Sequence, residues 1–571
     1  MNTSVMFFVL SVVVIFCCLY NEAIAQTVFK ENNFHRTERI PSVADSNLEV
    51  ELVVGGLEIP TTMAFLGPDD FIVLEKDKGT VLRVTNGVIP SKPLLDVNVA
   101  TSVERGMLGV AVSKDASKTF VYLYYTEIHG KDSDDRRGIQ PQANRVYRYE
   151  LVGNELINPI LLLDLPANPG PRHNGGAIEL GPDNNLYIPI GDVDASFKEP
   201  KIRTMTQNFR DGLIADGRSG ILRITQDGKP VGEGILGIST PLNHYYAYGI
   251  RNSFGLGFDP VTNNLWETEN GPVHGDEINL VYPGFNSGWH EMYGLSHSQK
   301  KFDPSKLVTF DGNGRYSEPK LVWGKTAGLT SLIFLNTDKL GNHYRNDMFV
   351  ADVHNGRIYH FNLNADRTEL VLPTALASKF FTSFNASGVE EILFGEGFGG
   401  ITDLTVGPDG YLYVVSIGQG KVFRILPHSS LTNNIDELQS EKQQQNKQIP
   451  NLSETQDIDI NDNELLVSIV PLKDPVARGS SQSATITITD SASRPIVNAE
   501  INGNLVYPGD NFEKKFSGIT DSQGKFVYSW IIGENGDVGP LVVEVKVSSP
   551  AYPSTSDVNS FEIVDSSNQS K

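Results

Sequence analysis

A polar turn followed by an apolar run recurs along the chain between residues 48 and 427. In each copy Gly, Pro, Asp or Asn residues lead into a short segment of aromatic and β-branched residues, as in LGPDNNLYIPIGD. Six copies are present, and they begin near Leu66, Ser113, Leu180, Phe258, Leu335 and Val406. A repeated unit of tight turn and strand is typical of the blade of a β-propeller. The pattern therefore predicts an all-β chain with a six-bladed propeller over residues 48–427.

Two further strand-like segments flank the six copies. The segment LEVELVV at residues 48–54 precedes the first copy, and KVFRIL at residues 421–426 follows the last one. A propeller is normally closed by pairing its two chain ends within one blade, which leaves no exposed sheet edge. We expect residues 48–54 to be the closing strand. Functional residues of such a fold come from loops at one mouth of its central channel, so the search for chemistry concentrates on the connections.

The remaining segments have different patterns. Residues 1–25 predict a signal peptide, because an apolar run at residues 5–19 precedes the small residues AIA at 23–25. The first residues carry no Lys or Arg, so an uncleaved membrane anchor is the alternative. Residues 26–47 form an N-terminal extension. Residues 428–463 are rich in Ser, Asn, Gln, Glu and Lys and predict a flexible linker, with a Gln-rich helix as the alternative.

Short alternating runs return in residues 464–571, among them SATITITD and LVVEVKVSS. Roughly seven such strands in about a hundred residues predict an immunoglobulin-like β-sandwich. Because this segment has no Cys or His suited to chemistry, we expect an adhesive or spacer role and a possible cell-surface partner.

Composition limits the classes of partner and the cellular setting. The chain of 571 residues has a formal net charge of −22, which repels nucleic acid and anionic membranes. Its two cysteines, Cys17 and Cys18, lie within the predicted signal peptide, so the mature chain would have neither disulfides nor cysteine-bound metal. These features favour a secreted, periplasmic or cell-surface protein.

Three loops contain residues suited to chemistry. His173 lies in a glycine-rich loop, and Asp192 ends the strand that follows, an arrangement that can hold a general base; a surface His and a turn-forming Asp are the alternative. Arg251 and Asn252 can polarise a carbonyl oxygen, although an Arg–carboxylate pair that ties two blades together is equally compatible with the sequence. A Gly-Pro turn followed by carboxylates, at residues 271–277, can direct carbonyls at Ca²⁺, whereas acidic turns without metal are also common.

Together these loops resemble the soluble quinoprotein glucose/sorbosone dehydrogenase family, which comprises six-bladed propellers that use pyrroloquinoline quinone (PQQ) and Ca²⁺. The resemblance covers roughly residues 48–427. Seven collinear segments carry it: MAFLGPDDFIVLEKDKGTVLRV, GMLGVAV, HNGGAIELGPDNNLYIPIGD, GRSGILRI, GIRNSFGLGFDP, ENGPVHGDEINLV with FNSGW, and VGPDGYLYVV.

The resemblance implies roles for individual residues. His173 matches the catalytic base and Asp192 the carboxylate that orients it. Arg251 and Asn252 match the pair that contacts the quinone. The backbone carbonyls of residues 271 and 272 match the Ca²⁺ ligands that hold PQQ. In this mechanism His173 takes the substrate hydroxyl proton while hydride leaves for the quinone, and Arg251 stabilises the negative charge that develops.

Two further residues match substrate contacts of the family. Glu104 falls where a polar substrate contact is often found, and Trp323 falls near an aromatic residue of the pocket mouth. Trp323, Trp289 and Tyr282 are also compatible with places in the blade core.

The sequence departs from the family where the cofactor's carboxylates are held. The family usually has Arg-x-Arg-Asp before the last copy, where this chain has Gly400-Ile401-Thr402-Asp403, and a family Lys aligns with His354. Since PQQ carries three carboxylates, these losses weaken its binding. Arg357, Lys325 and His354 are candidates to replace the missing cations.

We therefore expect an exported PQQ-dependent dehydrogenase that oxidises an aldose sugar or related alcohol and passes electrons to an unidentified acceptor. A non-catalytic propeller that acts as a cell-surface binding module is the first alternative, favoured by the missing arginines. A Ca²⁺-dependent hydrolase of the lactonase type is the second, although the chain shows no clear ring of acidic metal ligands.

Overall fold

The computed structural model describes residues 41–115, 117–128, 141–194, 200–298, 302–384 and 388–428, and residues 465–565 with gaps at 472, 474, 491–493, 509–512, 522, 534–537 and 550–551. The chain divides into two compact units, residues 1–446 and 447–571. The predicted signal peptide and almost all of the predicted linker lie outside the described residues, as does most of the N-terminal extension. No helix in the described part is long and apolar enough to cross a membrane.

The described residues of the first unit form six sheets, here called sheets 1 to 6. Before them come β1 (Ser42–Val43) and β2 (Leu48–Val54). Sheet 1 contains β3 (Pro60–Gly67), β4 (Asp70–Glu75), β5 (Thr80–Thr85) and β6 (Leu95–Asp96). Sheet 2 contains β7 (Met107–Lys114), β8 (Thr119–Ile128), β9 (Pro141–Val152) and β10 (Glu155–Leu165). Sheet 3 contains β11 (Glu179–Leu180), β12 (Leu186–Ile190), β13 (Gly220–Ile224) and β14 (Tyr245–Tyr248).

The other three sheets follow the same plan. Sheet 4 contains β15 (Ser253–Phe258), β16 (Leu265–Glu269) and β17 (Asp276–Val281). The next two strands, β18 (Phe285–Asn286) and β19 (Arg315–Tyr316), extend sheet 3. Strand β20 (Leu321–Trp323) then returns to sheet 4. Sheet 5 contains β21 (Leu329–Phe334), β22 (Met348–Asp352) and β23 (Ile358–Leu363), to which β24 (Leu370–Val371) pairs; β25 (Phe380–Phe381) joins sheet 4, and β26 (Leu393–Glu396) links sheet 5 to β1. Sheet 6 contains β27 (Ile401–Val406), β28 (Leu412–Ser416) and β29 (Lys421–Pro427).

Helices are short in the described part of this unit. A single turn of α-helix, α1, covers Val389–Ile392. The 3₁₀ turns are Pro200–Ile202, Met205–Gln207, Leu242–His244, Ser296–Ser298, Pro304–Lys306, Asn342–Tyr344 and Thr374–Leu376.

Each predicted turn lies between the first and second strands of one sheet. The turn after Leu180 joins β11 to β12, and the turn after Val406 joins β27 to β28; both pairs are antiparallel. Most residues of the second strands are buried, and β12, with the sequence LYIPI, is buried along its whole length. Burial on both faces explains why these segments are continuous apolar runs without polar alternation.

The predicted pairing of residues 48–54 with the last strand is present. Strand β2 pairs antiparallel with β29, from Leu48 opposite Pro427 to Val54 opposite Val422. This pairing makes β2 the outermost strand of sheet 6, so residues from the start and the end of the first unit share one sheet.

Hydrophobic packing joins the six sheets in chain order. Buried clusters lie between sheets 1 and 2, 2 and 3, 3 and 4, 4 and 5, and 5 and 6, and a further cluster lies between sheets 6 and 1. In the last of these, Val415 and Val422 of sheet 6 pack with Phe71 and Val73 of sheet 1. The first strands also make contacts, as β3 does with β7 and with β27.

A central cavity of about 280 Å³ is lined by residues on or next to the first strands of all six sheets. Its charged lining residues are Glu179 and Asp403, from sheets 3 and 6. Burial, together with the neighbouring Asp403, raises the pKa of Glu179 to about 8. Burial also raises the pKa of Asp403 to about 7.

The second unit has two sheets with one shared hydrophobic core. Its strands are β30 (Leu465–Pro471), β31 (Val476–Ala477), β32 (Ser481–Asp490), β33 (Glu500–Val506), β34 (Glu513–Ile519), β35 (Lys525–Ile531), β36 (Gly539–Ser549) and β37 (Tyr552–Val564). One sheet has the order β30-β32-β35 and the other β31-β37-β36-β33-β34. The alternating pattern thus predicted a region of strands correctly, while its immunoglobulin-like character stays a prediction.

Candidate active site

The candidate site lies in two kinds of connection. Some of its residues precede the first strand of a sheet, and the others connect the second strand to the third. Because antiparallel strands alternate in direction, these two kinds of connection lie at the same end of a sheet. His173 and Arg251 belong to the first kind, whereas Asp192, Gly271 and His354 belong to the second.

His173 and Asp192 form a buried pair. The ring Nδ1 lies 2.5 Å from Asp192 Oδ1, and the two residues are 4% and 0% exposed. An ionised carboxylate only accepts hydrogen bonds, so the Nδ1–H donates and the other ring nitrogen, Nε2, keeps its lone pair. The pair therefore has the arrangement of an oriented general base.

The backbone around His173 is tightly constrained. His173 has a φ of +61°, which is unusual for a residue with a side chain. Its carbonyl accepts the N–H of Gly191 at 3.1 Å. A Cβ at Gly191 would lie only 2.2 Å from the Arg251 carbonyl oxygen and 2.8 Å from the His173 Cβ. Glycine at position 191 is thus what allows the loops of His173 and Arg251 to approach each other.

Glu104 contacts the same loop. One of its carboxylate oxygens accepts the backbone N–H of His173 at 2.5 Å. The structure therefore brings this predicted substrate contact to the predicted base, with part of the Glu104 residue exposed.

Arg251 connects the His173 loop to the Gly-Pro turn. Its carbonyl accepts the N–H of Asp192 at 3.0 Å. Its Nη1 donates to the carbonyls of Asn270 at 2.6 Å and Gly271 at 3.0 Å. The Arg251 Nε is buried without a hydrogen-bond partner among the described residues. The guanidinium thus binds backbone carbonyls and retains an unused donor.

Two amide oxygens beside Arg251 are also unsatisfied. Asn252 accepts the backbone N–H of Asn270 at 2.8 Å through its own carbonyl. The side-chain oxygens of Asn252 and Asn270 are buried and have no donor in the described part of the chain. Since buried polar atoms are nearly always paired, these atoms indicate a place for a polar ligand.

Asp276 organises the Gly-Pro turn. Its Oδ1 accepts the N–H of Gly271 at 2.9 Å, and its Oδ2 accepts the N–H groups of Ala327 and Gly328 at 2.8 and 2.9 Å. The Thr326 hydroxyl donates to the same carboxylate. Asp276 thus ties the turn of sheet 4 to the segment entering sheet 5. The sequence marked it only as one of several carboxylates behind the turn.

The predicted metal position can be compared with this geometry. The Gly271 carbonyl accepts from Arg251, so a cation held by the carbonyls of Gly271 and Pro272 would share that oxygen with the guanidinium. Within the described residues no three His, Cys, Asp or Glu side chains are grouped as a metal site. Backbone carbonyls do not belong to that set, and Ca²⁺ ligation by Gly271 and Pro272 stays a prediction.

Three buried glutamates on β16 and β17 were not singled out from the sequence, and one of them, Glu269, contacts Arg251. Glu269 accepts the Arg251 backbone N–H at 2.6 Å and the Ser287 hydroxyl at 2.5 Å. Burial raises the pKa of Glu267 to about 8 and that of Glu269 to about 7. Burial and the neighbouring Glu269 also raise the pKa of Glu277. Such shifts are frequent around functional sites. Their alternation on β16 and β17, with side chains on one face, was the available sequence signal.

Trp289 is a residue that the sequence left open as either a pocket aromatic or a core residue. Its indole Nε1 donates to Asp192 Oδ2 at 3.0 Å, and the Arg251 Cζ lies 5.5 Å from its ring centroid. Trp289 is 2% exposed. The FNSGW segment gave its position in the chain but not the direction of its N–H.

The three candidate replacement cations lie around one loop cluster of sheet 5. The Lys325 Nζ lies 5.9 Å from the Phe384 ring centroid, and Arg357 Nη1 donates to the Phe384 carbonyl at 3.4 Å. Arg357 also pairs with Glu396 at 3.1 Å, so its charge is partly balanced already. The His354 Nδ1 lies 3.5 Å from the Thr326 carbonyl. His354 is therefore linked through Thr326 to Asp276 and the Gly-Pro turn.

Trp323 lies apart from the exposed surface of these loops. It is 0% exposed and packs against Tyr359 and Phe381 in the core between sheets 4 and 5. This placement corresponds to the core position that the sequence left open as the alternative to the pocket mouth.

Known proteins resemble this chain over the same six sheets. The family model described as Glucose / Sorbosone dehydrogenase matches residues 57–424. The chain belongs to the glucose/sorbosone dehydrogenase family. Among its relatives is the aldose sugar dehydrogenase YliI of Escherichia coli, 26% identical over 396 residues, which make up 68% of this chain and 95% of the relative. Another is the quinoprotein glucose dehydrogenase B of Acinetobacter calcoaceticus, 29% identical over 262 residues, covering 43% of this chain and 53% of the relative.

A solved structure places the fold of this family member among propellers. The soluble aldose sugar dehydrogenase of Escherichia coli, crystallised in its apo form, matches with a TM-score of 0.51 and 20% identity. The match covers 67% of this chain and all of that structure. The six-sheet unit is therefore of the propeller type.

Proposed function

We propose that this family member is an exported quinoprotein oxidoreductase that oxidises an aldose sugar or a related alcohol, with PQQ as cofactor and Ca²⁺ as the ion that holds it. The single observation that carries the proposal is the buried His173–Asp192 pair next to Arg251. Family membership and the names of the relatives agree with it.

The chemistry of the unsatisfied atoms fits such a cofactor. Arg251 Nε is a buried cationic donor without a partner among the described residues, as needed by a ligand with quinone oxygens and carboxylates. Arg251 and Asn252 would contact the quinone, and the carbonyls of Gly271 and Pro272 would hold Ca²⁺. Lys325, His354 and Arg357 would serve the carboxylates in place of the arginines absent from residues 400–403.

Each of the site residues has a separate role in the proposed alcohol oxidation. The substrate hydroxyl gives its proton to His173 Nε2, while its carbon loses hydride and becomes a carbonyl carbon. Bound PQQ would supply the two-electron acceptor for that hydride. Asp192 stabilises the imidazolium that forms at His173, and Arg251 offers a fixed positive charge where negative charge develops. Glu104 would orient a sugar hydroxyl from its half-exposed position beside His173.

The architecture proposed with this function is a closed six-bladed propeller over residues 48–427. The packing of sheet 6 on sheet 1 and the β2–β29 pairing support it. We further propose a cleaved signal peptide at residues 1–25, an extension at 26–47, a linker at 428–463 and an immunoglobulin-like domain at 464–571 that binds a cell-surface partner. Export to the periplasm, the cell surface or the medium follows from that leader.

The test is a titration of the purified chain with PQQ and Ca²⁺, followed by dye reduction with a panel of aldoses. The His173→Gln variant removes the base, and turnover should fall about 10²- to 10⁴-fold. The control is His360→Gln, because His360 also pairs with an aspartate, Asp347, at 2.9 Å but lies on a strand of sheet 5. Saturable PQQ binding with sugar oxidation that survives only in the control variant is the expected result.

Other outcomes would favour the alternatives. Absence of PQQ binding at high micromolar concentration would contradict the dehydrogenase. It would favour the non-catalytic binding module, which the absence of the family's arginines from residues 400–403 supports. Lactone hydrolysis with Ca²⁺ and without PQQ would instead indicate the hydrolase.

A further inference from the structure

The indole of Trp289 links the two charged partners of the candidate site. Its Nε1–H donates to Asp192 Oδ2 at 3.0 Å, while Asp192 Oδ1 lies 2.5 Å from His173 Nδ1. The face of the same ring lies toward Arg251, whose Cζ is 5.5 Å from the centroid. One rigid side chain thus contacts both the Asp192 carboxylate, which orients the base, and the Arg251 guanidinium, which is proposed to contact the cofactor.

The surrounding backbone holds Trp289 in place. Its own N–H donates to the Gly249 carbonyl at 2.8 Å, two residues before Arg251. Its carbonyl accepts from the side chain of Asn208 at 2.8 Å. Trp289 follows β18, which pairs with β14 of sheet 3. Its backbone is thus bound to the connection between sheets 3 and 4, through Gly249, and to the connection between β12 and β13, through Asn208.

We propose that Trp289 is a positioning residue that fixes the Asp192 carboxylate and the Arg251 guanidinium relative to each other, and thereby sets the proton affinity of the His173 base. This inference rests on the proposed dehydrogenase function and assigns a defined role to a residue that the sequence offered only as a pocket aromatic or a core residue.

The physical argument concerns the negative charge on Asp192. The carboxylate is 0% exposed, so each hydrogen bond it accepts lowers the energy of its ionised form appreciably. Removing the indole donor leaves that charge to the His173 ring and the Asp194 N–H. The other ionisable groups that face the pair, besides Arg251, are Glu104, Glu269 and His290, and the substitution changes none of them. The imidazolium is then held more strongly, and the base becomes protonated at a higher pH. The acidic limb of the pH–rate profile should therefore move to higher pH.

The first experiment uses the full chain without cofactor. Indole N–H signals of the four tryptophans are followed by NMR and assigned by Trp→Phe substitution. The Trp289 signal should move when Asp192 is changed to Asn, because a charge-assisted hydrogen bond is lost. The Trp266 signal should not respond, since its buried Nε1 has no hydrogen-bond partner in the described residues. A Trp289 signal indifferent to Asp192→Asn would overturn the inference.

The second experiment compares Trp289→Phe with Trp266→Phe in the enzyme loaded with PQQ and Ca²⁺. Both substitutions remove the same atoms from a buried indole, but only the first removes a bond to Asp192. We expect the acidic limb of kcat/KM to move up by about one pH unit in Trp289→Phe, and to stay in place in Trp266→Phe. A lower plateau with an unmoved limb would mean a purely structural role and would also overturn the inference.

The two arms separate the two proposals. A wild-type chain that oxidises no sugar overturns the proposed function, whereas the NMR arm decides the Trp289–Asp192 bond without any activity. Thermal unfolding of both Phe variants shows whether either has lost its fold, and the NMR arm on the Asp192→Asn chain leaves Trp289 itself intact.

Discussion

At the scale of single residues, the orientation of one imidazole governs the candidate site. The His173 ring is held at Nδ1 by Asp192, which leaves Nε2 as the nitrogen that can take a proton. The aspartate in turn binds the indole of Trp289 and the backbone N–H of Asp194. The His173 ring, the Trp289 indole and the Asp194 N–H thus all donate to the Asp192 carboxylate.

The first prediction concerns Asp192→Asn. An amide in this position can donate its N–H to Nδ1, which favours the ring tautomer with its proton on Nε2 and removes the basic lone pair. We expect kcat/KM for sugar oxidation to fall on the order of 10²- to 10⁴-fold. Steady-state kinetics with PQQ and Ca²⁺ measure it. The control is Asp347→Asn, which changes the partner of His360, and equal losses in both variants would contradict the assignment.

At the scale of elements, the site residues lie in connections between strands, and backbone contacts hold these connections together. Gly191 follows β12 and lies against the backbones of His173 and Arg251. Asp276 at the start of β17 binds the N–H groups of the segment that enters sheet 5. The two contacts join connections of sheets 3, 4 and 5 into one unit without any regular secondary structure between them.

The second prediction concerns Gly191→Ala. The added methyl group would meet the Arg251 carbonyl at 2.2 Å, which is backbone and cannot rotate away. The loops of His173 and Arg251 must therefore separate, and a displacement of this size can cost about 10²-fold in turnover. Kinetics and thermal unfolding are measured together. Gly67→Ala is the control, since a methyl group there meets nothing within 4 Å. Full activity in Gly191→Ala would show that the two loops need no close approach.

Sequence alone predicted the elements better than the side-chain directions. The turns after Leu180 and Val406 and the β2–β29 pairing follow from local pattern, because turn chemistry and apolar runs are properties of neighbouring residues. The bond from Trp289 to Asp192 joins residues 97 positions apart, and nothing local specifies it. Trp323 shows the same limit, since its packing between sheets 4 and 5 depends on contacts with Tyr359 and Phe381.

At the scale of the whole molecule, six sheets converge on a cavity that contains two carboxylates. Glu179 and Asp403 come from sheets 3 and 6, and both line the central cavity of about 280 Å³. Burial raises the pKa of Glu179 to about 8 and that of Asp403 to about 7. A folded chain at mildly acidic pH therefore keeps protons on groups that an unfolded chain releases near pH 4.

The third prediction is a dependence of stability on pH. Between about pH 5 and pH 8 the folded chain binds more protons at Glu179 than the unfolded chain does, so the free energy of unfolding falls as pH rises. For one proton the slope is about 1.4 kcal/mol per pH unit. Glu179→Gln is neutral at every pH, and its stability relative to the wild type should rise from pH 5 to pH 9. Thermal or denaturant unfolding across this range measures the difference.

The matched control for this experiment is Glu233→Gln, at an exposed loop position of the same unit. It should leave the pH dependence of the wild type unchanged. Parallel stability curves for the wild type and Glu179→Gln would show that the cavity keeps Glu179 ionised, and the raised pKa would then be wrong.

The pairing of β2 with β29 has a consequence for how the chain can be cut and rejoined. Leu48 lies opposite Pro427 in that pair, although 379 positions separate them, so the covalent ends of the six-sheet unit are next to each other in space. A short tether between them would complete a covalent circle, and the circle could be opened again at an exposed hairpin such as Gly153 between β9 and β10. Such a permuted chain would begin with a different sheet, but the packing between neighbouring sheets would be the same.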